Sequence, residues 1–314
     1  MNYLQVIDPE LKSIAKRVPY HPLLIKAANI YQTLALQLTR PPQEITCKQF
    51  FLREHGVSPL KVEIYEPAAA TEKLPCLLYI HGGAFSYKAS VHHKKLACIY
   101  ALRANCKVVF PDYRLLPAHP YPAAYRDGLT VYKWLSENAD GLHIDTGLLG
   151  IAGDSSGGAI AAALCNVYEE EALPIPCAQM LIYPVTDASL STKSMKMYAD
   201  TPLWNSQNNR KMWEFYLKNA TAEERKNASP MRSRLPRRIP DTYLETAEYD
   251  CLHDEGVLYA EKLIKAGAKV ELNETRGTIH GYDSALKTQI AQDNIKKRIA
   301  FLKKCFDSGA PFPV

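Results

Sequence analysis

From residue 107 onward, short β-branched and apolar runs alternate with stretches of helical period, and this alternation restricts the fold more than any other feature of the chain. Strands are predicted at 107–112, 148–153, 179–184, 242–248 and 269–274. Helices are predicted at 123–138, 156–170, 254–266 and 284–306. Upstream, 50–53, 61–66 and 76–81 also read as strands. The first two are joined by the short link 54–60 and are expected to pair antiparallel. Strand–helix–strand units close as right-handed crossovers, which build a parallel sheet with helices on both faces. The expected class is therefore α/β, an open and mostly parallel sheet.

Two segments depart from that rhythm. Residues 1–48 read as helices, with Leu11, Ile14, Ala15 and Val18 at helical spacing, followed by Leu23, Ala27, Ile30, Leu34 and Leu38. Pro19, Pro22, Pro41 and Pro42 punctuate them. Residues 188–236 carry Tyr198, Trp204, Trp213, Phe215 and Tyr216, then a basic run at 225–238 that reads as a solvated return to the sheet. Functional insertions in α/β proteins follow strand ends in this way. The expectation is a cap made of 1–48 and 188–236 over a core formed by 49–187 and 237–314.

Composition removes several function classes. At 47% hydrophobic and 23% charged, the 314 residues form a globular chain rather than a disordered one. Thirty-eight Lys and Arg against 33 Asp and Glu leave a net charge of +5, too diffuse to make nucleic acid an expected partner. The most apolar stretch, 159–165, is far shorter than the roughly 20 residues a membrane crossing needs, so no membrane insertion is expected. Residues 2–10 have neither a basic start nor an apolar run, so no export signal is expected. The eight cysteines form no C-x-x-C and no zinc spacing, and they read as reduced thiols in a cytoplasmic protein with neither metal nor cofactor.

The chemistry begins at Gly153-Asp154-Ser155-Ser156-Gly157, which ends a strand and opens an alanine-rich helix. G-x-S-x-G alone is a weak signal, but strand–turn–helix is the setting of a nucleophile elbow, with Ser155 raised above the sheet. His81-Gly82-Gly83-Ala84 ends an earlier strand and has the form of an oxyanion loop. Gly82, Gly83, Ala84 and Ser156 are expected to bound an oxyanion hole. A serine nucleophile needs a base and the base an orienting acid. His280 follows the last predicted strand and Asp250 the one before it, which gives the order Ser, Asp, His of an α/β-hydrolase. Asp254 competes for the acid role but opens a helix, where a carboxylate caps. Asp154 reads as a structural acceptor, and Asp112, Arg114 and Asp127 as partners of one another or of buried backbone. Tyr183, Trp204, Trp213 and Tyr216 are candidates to bind substrate, although the two tryptophans serve equally well to hold a cap together.

These residues resemble the hormone-sensitive-lipase-like carboxylesterases of the α/β-hydrolase superfamily over about residues 75–285. Asp112-Tyr113-Arg114-Leu115-Leu116-Pro117 with His119-Pro120-Tyr121-Pro122-Ala123-Ala124 is similar to the family's D-Y-R-L-A-P-E-H-P-F-P-A-A. Glu248-Tyr249-Asp250-Cys251-Leu252-His253-Asp254-Glu255-Gly256 is similar to E-Y-D-P-L-R-D-E-G. The resemblance implies metal-independent hydrolysis of small-molecule esters with short or medium acyl chains. It also implies a cap built from the N-terminal helices and the insertion after the sixth strand, and it allows a homodimer. Separately, the large rings of the 188–218 segment and the Ser156 hydroxyl point to a short, closed pocket, so acetyl to about hexanoyl esters are the expected substrates. The alternatives are an amidase or a deacetylase of acetylated sugars or xenobiotics using the same triad, and a ligand receptor without activity, against which His280 argues. Departures from the family pattern include Ser156 for Ala, Cys251 for Pro, Ala118 for Glu and Tyr282 for Phe. Of these, the Ser156 hydroxyl is expected to crowd the acyl group.

Overall fold

The structure, a computed structural model, describes residues 2–53 and 58–308, so the 54–60 link and the end of the 237–314 segment lie partly outside the described residues. One eight-stranded sheet contains β1 (Ile45–Leu52), β2 (Leu60–Pro67), β3 (Leu74–Ile80), β4 (Lys107–Pro111), β5 (Ile144–Asp154), β6 (Ala178–Ile182), β7 (Asp241–Tyr249) and β8 (Val270–Ile279). Its spatial order is β1-β2-β4-β3-β5-β6-β7-β8. β1 pairs antiparallel with β2, and β2 antiparallel with β4. Every later pairing is parallel. The helices are α1 (Tyr3–Val6), α2 (Pro22–Leu38), α3 (Val91–Arg103), α4 (Ala123–Asn138), α5 (Ser156–Val167), α6 (Lys193–Met197), α7 (Ser206–Tyr216), α8 (Ala222–Asn227), α9 (His253–Lys265) and α10 (Gln289–Asp307).

Burial on both faces explains why the central strands read as continuous apolar runs. In β3, Cys76, Leu78 and Ile80 enter one core with Val131 and Leu135 of α4, Ile160 and Leu164 of α5, and Leu263 of α9. Leu77 and Tyr79 point the other way, into a second core with Leu96 and Tyr100 of α3 and Ile295, Ile299 and Leu302 of α10.

Two sequence expectations need correction. The first strand begins at Ile45, inside the segment assigned to helices; two consecutive exposed polar residues, Lys48 and Gln49, hide its alternation. Helix α3 was not expected at all. Its first turn is Val91-His92-His93-Lys94; His93, Leu96, Ala97, Tyr100 and Ala101 form one buried face, but a polar histidine on that face and apolar Cys98, Ile99 and Leu102 off it blur the hydrophobic period. Its cap is also unusual, since Ser90 pairs with His93 in place of the Glu or Gln of an ordinary capping box.

The second core encloses a charged knot. Arg298 of α10 donates to Asp283 at 2.7 Å and to Glu245 of β7 at 2.5 Å. The hydroxyls of Tyr243 and Tyr282 donate to Glu245, each at 2.7 Å. Burial alone would raise the Asp283 pKa, but the Arg298 charge outweighs it and holds this carboxyl below its ordinary range. Its contribution to stability is therefore present above about pH 4 and is lost as pH falls through the folded-state value. Arg298→Met leaves two buried carboxylates without their cation, which is expected to cost about 3–5 kcal/mol in urea unfolding at neutral pH. The unpaired carboxyls then bind protons more readily in the fold, so the cost should shrink near pH 4. An equal cost at both pH values would show that the pair does not set the charge state.

Candidate active site

The serine of the elbow sits in a backbone conformation that L-residues rarely adopt. Ser155 has φ 52° and ψ −119°, between the last residue of β5 and the first of α5. Hydrogen bonds hold it from both sides: its N–H donates to Ile182 O at 2.9 Å, and its carbonyl accepts from Val185 N–H at 3.0 Å. The flanking glycines are sterically required. A Cβ on Gly157 would lie 2.1 Å from Ile80 O, and one on Gly153 2.3 Å from Gly157 O. This packing explains the motif's residue types more directly than backbone freedom does.

Three strand ends then converge. His280 follows β8 and its Nε2 lies 2.8 Å from Ser155 Oγ. Its Nδ1 lies 2.6 Å from Oδ2 of Asp250, which follows β7. Asp250 is fully buried, and its Oδ1 accepts from Leu252 N–H at 3.0 Å, which fixes the carboxylate plane. Asp254 goes elsewhere: it accepts from Ser194 N–H at 2.8 Å and lies 3.0 Å from the His253 ring.

The loop after β3 differs from expectation in three respects. The Gly82 N–H is committed to Asp154 Oδ2 at 3.0 Å, so Gly82 helps fix the loop instead of donating to a ligand. The N–H groups of Gly83, Ala84 and Ser156 have no partner among the described residues. Ala84 and Phe85 both have φ 54°, so alanine stands here in the left-handed region that suits glycine. The Ser156 hydroxyl, expected to crowd an acyl group, is committed within the protein. It is completely buried and accepts from Phe85 N–H at 3.2 Å, tying the loop to the elbow.

Asp154 beside Ser155 is the hub beneath this loop. Besides Gly82 it accepts from Tyr79 OH at 3.0 Å and lies 3.2 Å from His93 Nε2. Burial opposes its charge, yet the neighbouring histidines and their hydrogen bond hold its pKa well below the ordinary range. Desolvation pushes His81, the first residue of the loop, down to about 3 and keeps it neutral. Arg114 and Asp127 do pair, at 2.6 Å. Asp112 lies outside that pair; its N–H donates to Lys61 O at 2.9 Å.

The aromatic candidates divide into two sets. Tyr183 and Trp204 face His280, with ring centroids 4.7 and 6.2 Å from it. The Tyr183 hydroxyl is turned away and donates to Asp283 at 2.5 Å. Tyr216 stacks on Phe85 at 3.7 Å, and Trp213 lies beside both rings.

Sequence reasoning missed the groups that tie the N-terminal residues to this site. Asn29 of α2 donates to Ser86 O at 2.8 Å and accepts from Lys88 N–H at 2.9 Å. Tyr20 hydrogen-bonds Ser86 through its hydroxyl. Its partners lie 57 or more residues away, and no local pattern marks them. A cavity of about 490 Å³ opens beneath the end of α2, between Thr33, Gln37, Lys61, Glu63 and Lys94, and none of its lining residues belongs to the Ser155 site. Among the described residues no cluster of His, Cys, Asp and Glu is arranged to hold a metal ion, and all eight cysteines are free thiols.

A sheet of this order, with a serine, an acid and a histidine brought together from its strand ends, defines the α/β hydrolases. A family model of the alpha/beta hydrolase fold matches residues 77–284. The carboxylesterase NlhH of Mycobacterium tuberculosis is 31% identical over 306 residues, covering 95% of this chain and 96% of that one. An ethyl acetate hydrolase of Pseudomonas putida is 30% identical, with 89% of each chain covered. The crystal structure of esterase LipW from Mycobacterium marinum superposes with a TM-score of 0.89 at 29% identity, over 97% of this chain and 98% of that one. The chain belongs to the hormone-sensitive-lipase-like carboxylesterase family of the α/β-hydrolase superfamily, and it is a carboxylic ester hydrolase.

Relieving the left-handed alanine should be measurable. Ala84→Gly is expected to raise unfolding stability by about 1 kcal/mol, read as a higher urea midpoint at unchanged slope. An unchanged or lower midpoint would mean that the loop carries no such strain.

Proposed function

We propose that this esterase acts through Ser155 as nucleophile, His280 as general base and Asp250 as the acid that orients it, on esters of short to medium acyl chains. The observation that carries the reading is the unbroken hydrogen-bond run from Asp250 through His280 to Ser155, at 2.6 and 2.8 Å. With Nδ1–H directed at the carboxylate, Nε2 is left unprotonated and accepts the Ser155 proton as Oγ attacks the ester carbonyl. The Gly83, Ala84 and Ser156 N–H groups are the donors left for the oxyanion, each worth about 2.7–4 kcal/mol of transition-state stabilisation. Imidazolium then protonates the departing alcohol. Water, deprotonated by the same Nε2, attacks the acyl-enzyme and releases the carboxylic acid with Ser155 restored.

The residues before β1 and residues 188–236 are read as the cap. Their mutual contacts support this: Leu203 N–H donates to Lys16 O at 2.8 Å, Tyr20 N–H to Asn208 Oδ1 at 3.1 Å, and the Tyr20 ring packs on Trp204 and Phe215. Trp204, Trp213 and Tyr216 are read as the walls of the acyl pocket. Tyr183 is a positioning residue that acts through His280. The resemblance to an ethyl acetate hydrolase supports a small acyl group, and the large rings support a wall within a few methylenes of Ser155.

Ser155→Ala and His280→Ala should each abolish turnover of a soluble acetyl ester, and the double variant should be hardly slower than either one. Additive losses would separate the two residues. Asp250→Asn should lower kcat by roughly 10⁴-fold through the wrong histidine tautomer, while Asp254→Asn leaves it near the parent value. The reverse ranking would move the acid role to Asp254. Across an acyl series, kcat/KM should climb from acetyl to about hexanoyl, at ~0.8 kcal/mol per buried methylene, and then fall. A maximum at long chains would remove the walls assigned here.

A further inference from the structure

Helix α2 is apolar on the side that faces away from the protein. Its inward side is settled by contact: Ile25 is buried, and Asn29 is bonded to Ser86 and Lys88. Leu23, Ala27, Ile30, Leu34 and Leu38, the residues whose spacing marks the helix in the sequence, lie instead on the solvent side. Leu23 is 71% exposed, Ile30 and Leu34 are 56% exposed, and Leu38 is 86% exposed, with Tyr31 beside them at 68%. A surface helix ordinarily turns such a stripe toward the core and charges toward water. Here the stripe is continuous for the length of the helix, and nothing among the described residues covers it.

Charge indicates what does. Between Glu10 and Glu44 the chain contains no acid and carries Lys12, Lys16, Arg17, Lys26 and Arg40. Arg17 pairs with Asp200, whereas the other four form no ion pair among the described residues. Lys26 lies on the helix between Leu23 and Ile30, and Arg40 follows two residues after Leu38, so cations bracket the apolar stripe. A second copy packed face to face would set Lys26 and Arg40 against like charges. An anionic lipid surface satisfies both features at once, taking the leucines into the headgroup boundary and the cations onto phosphate and carboxylate groups.

We propose that α2 is an interfacial helix by which this esterase docks on anionic lipid bilayers, lying in the plane of the surface without crossing it. The expectation of no membrane insertion from the sequence concerned spanning segments, and no helix among the described residues is long and apolar enough for that. Through Asn29 the docked helix is tied to the loop that holds Gly83 and Ala84, so the Ser155 site is coupled to the docked surface. The docking surface does not depend on the assignment of the triad.

The test is co-sedimentation of the full chain with vesicles of phosphatidylcholine alone and with phosphatidylserine added. The chain is expected to bind the phosphatidylserine vesicles and to be released by high salt. Leu34→Glu/Leu38→Glu should lower binding about tenfold or more while hydrolysing a soluble acetyl ester at the parent rate. Lys26→Glu/Arg40→Glu, at exposed positions, should weaken binding to phosphatidylserine vesicles selectively, and it provides the test should the leucine variant fail to fold. Failure to bind either vesicle, or binding indifferent to both variants, would overturn the proposal. So would a dimer in sedimentation equilibrium that Leu34→Glu/Leu38→Glu converts to monomer, since a second copy would then cover the stripe.

Discussion

The site depends on one clamp between neighbouring strand ends. Ser155 and Tyr183 both hold positive φ, 52° and 35°, at the ends of β5 and β6, and each is fixed by backbone hydrogen bonds to the next strand or loop. Ser155 N–H reaches Ile182 O, and Tyr183 N–H reaches Glu245 O in β7. Two costly conformations persist because the ladder around them over-determines the chain path. The first aims a hydroxyl above the sheet. The second turns a phenol ring onto the back of His280 and its hydroxyl onto Asp283, three residues beyond that histidine.

From there the constraint passes into the buried charges. Asp283 is held by Arg298, Arg298 by Glu245, and Glu245 by the hydroxyls of Tyr243 and Tyr282. The short loop carrying His280 is therefore anchored by charges that cannot leave their partners without desolvation cost. On the opposite side of the serine, Asp154 does the corresponding work for the loop that holds Gly83 and Ala84, gathering Gly82, Tyr79 and His93. Asp283 lies three residues from His280, and Asp154 lies next to Ser155. Rigid support of this kind is what lets hydrogen-bond donors act without reorganising during the reaction.

Much of this was legible in the sequence, for a specific reason. The elbow, the oxyanion loop, Asp250 and His280 each sit at a strand end, and buried parallel strands announce themselves as β-branched runs. What was not legible depends on which way a residue faces. G-G-A reads as a turn with donors, but nothing local shows that the Gly82 N–H is taken by an aspartate 72 residues later. Ser156 in place of alanine reads as added bulk near the acyl group, whereas its hydroxyl turns inward to Phe85. Helix α3 is hidden because its buried face carries His93 while apolar Cys98, Ile99 and Leu102 lie off that face, and the start of β1 because an edge strand paired on one side tolerates Lys48 and Gln49.

Helix α2 presents the opposite problem. Its period was read correctly, and the natural inference from a clean apolar stripe is a face turned to the core. Periodicity reports only that apolar residues share a side; it is silent about which medium that side meets. The polar Asn29 and Thr33 lie on the other side, and in isolation they look like the solvated face. They face the protein because their partners are backbone groups: the Ser86 carbonyl and Lys88 N–H for Asn29, and its own helix for Thr33. Buried polar side chains are tolerated when every donor is matched, and an exposed apolar stripe is tolerated when another apolar phase covers it. The inverted helix satisfies the first condition within the chain itself. Acid-free charge along residues 11–43 is the feature that bears on the second, because it distinguishes a lipid surface from another copy of the same face.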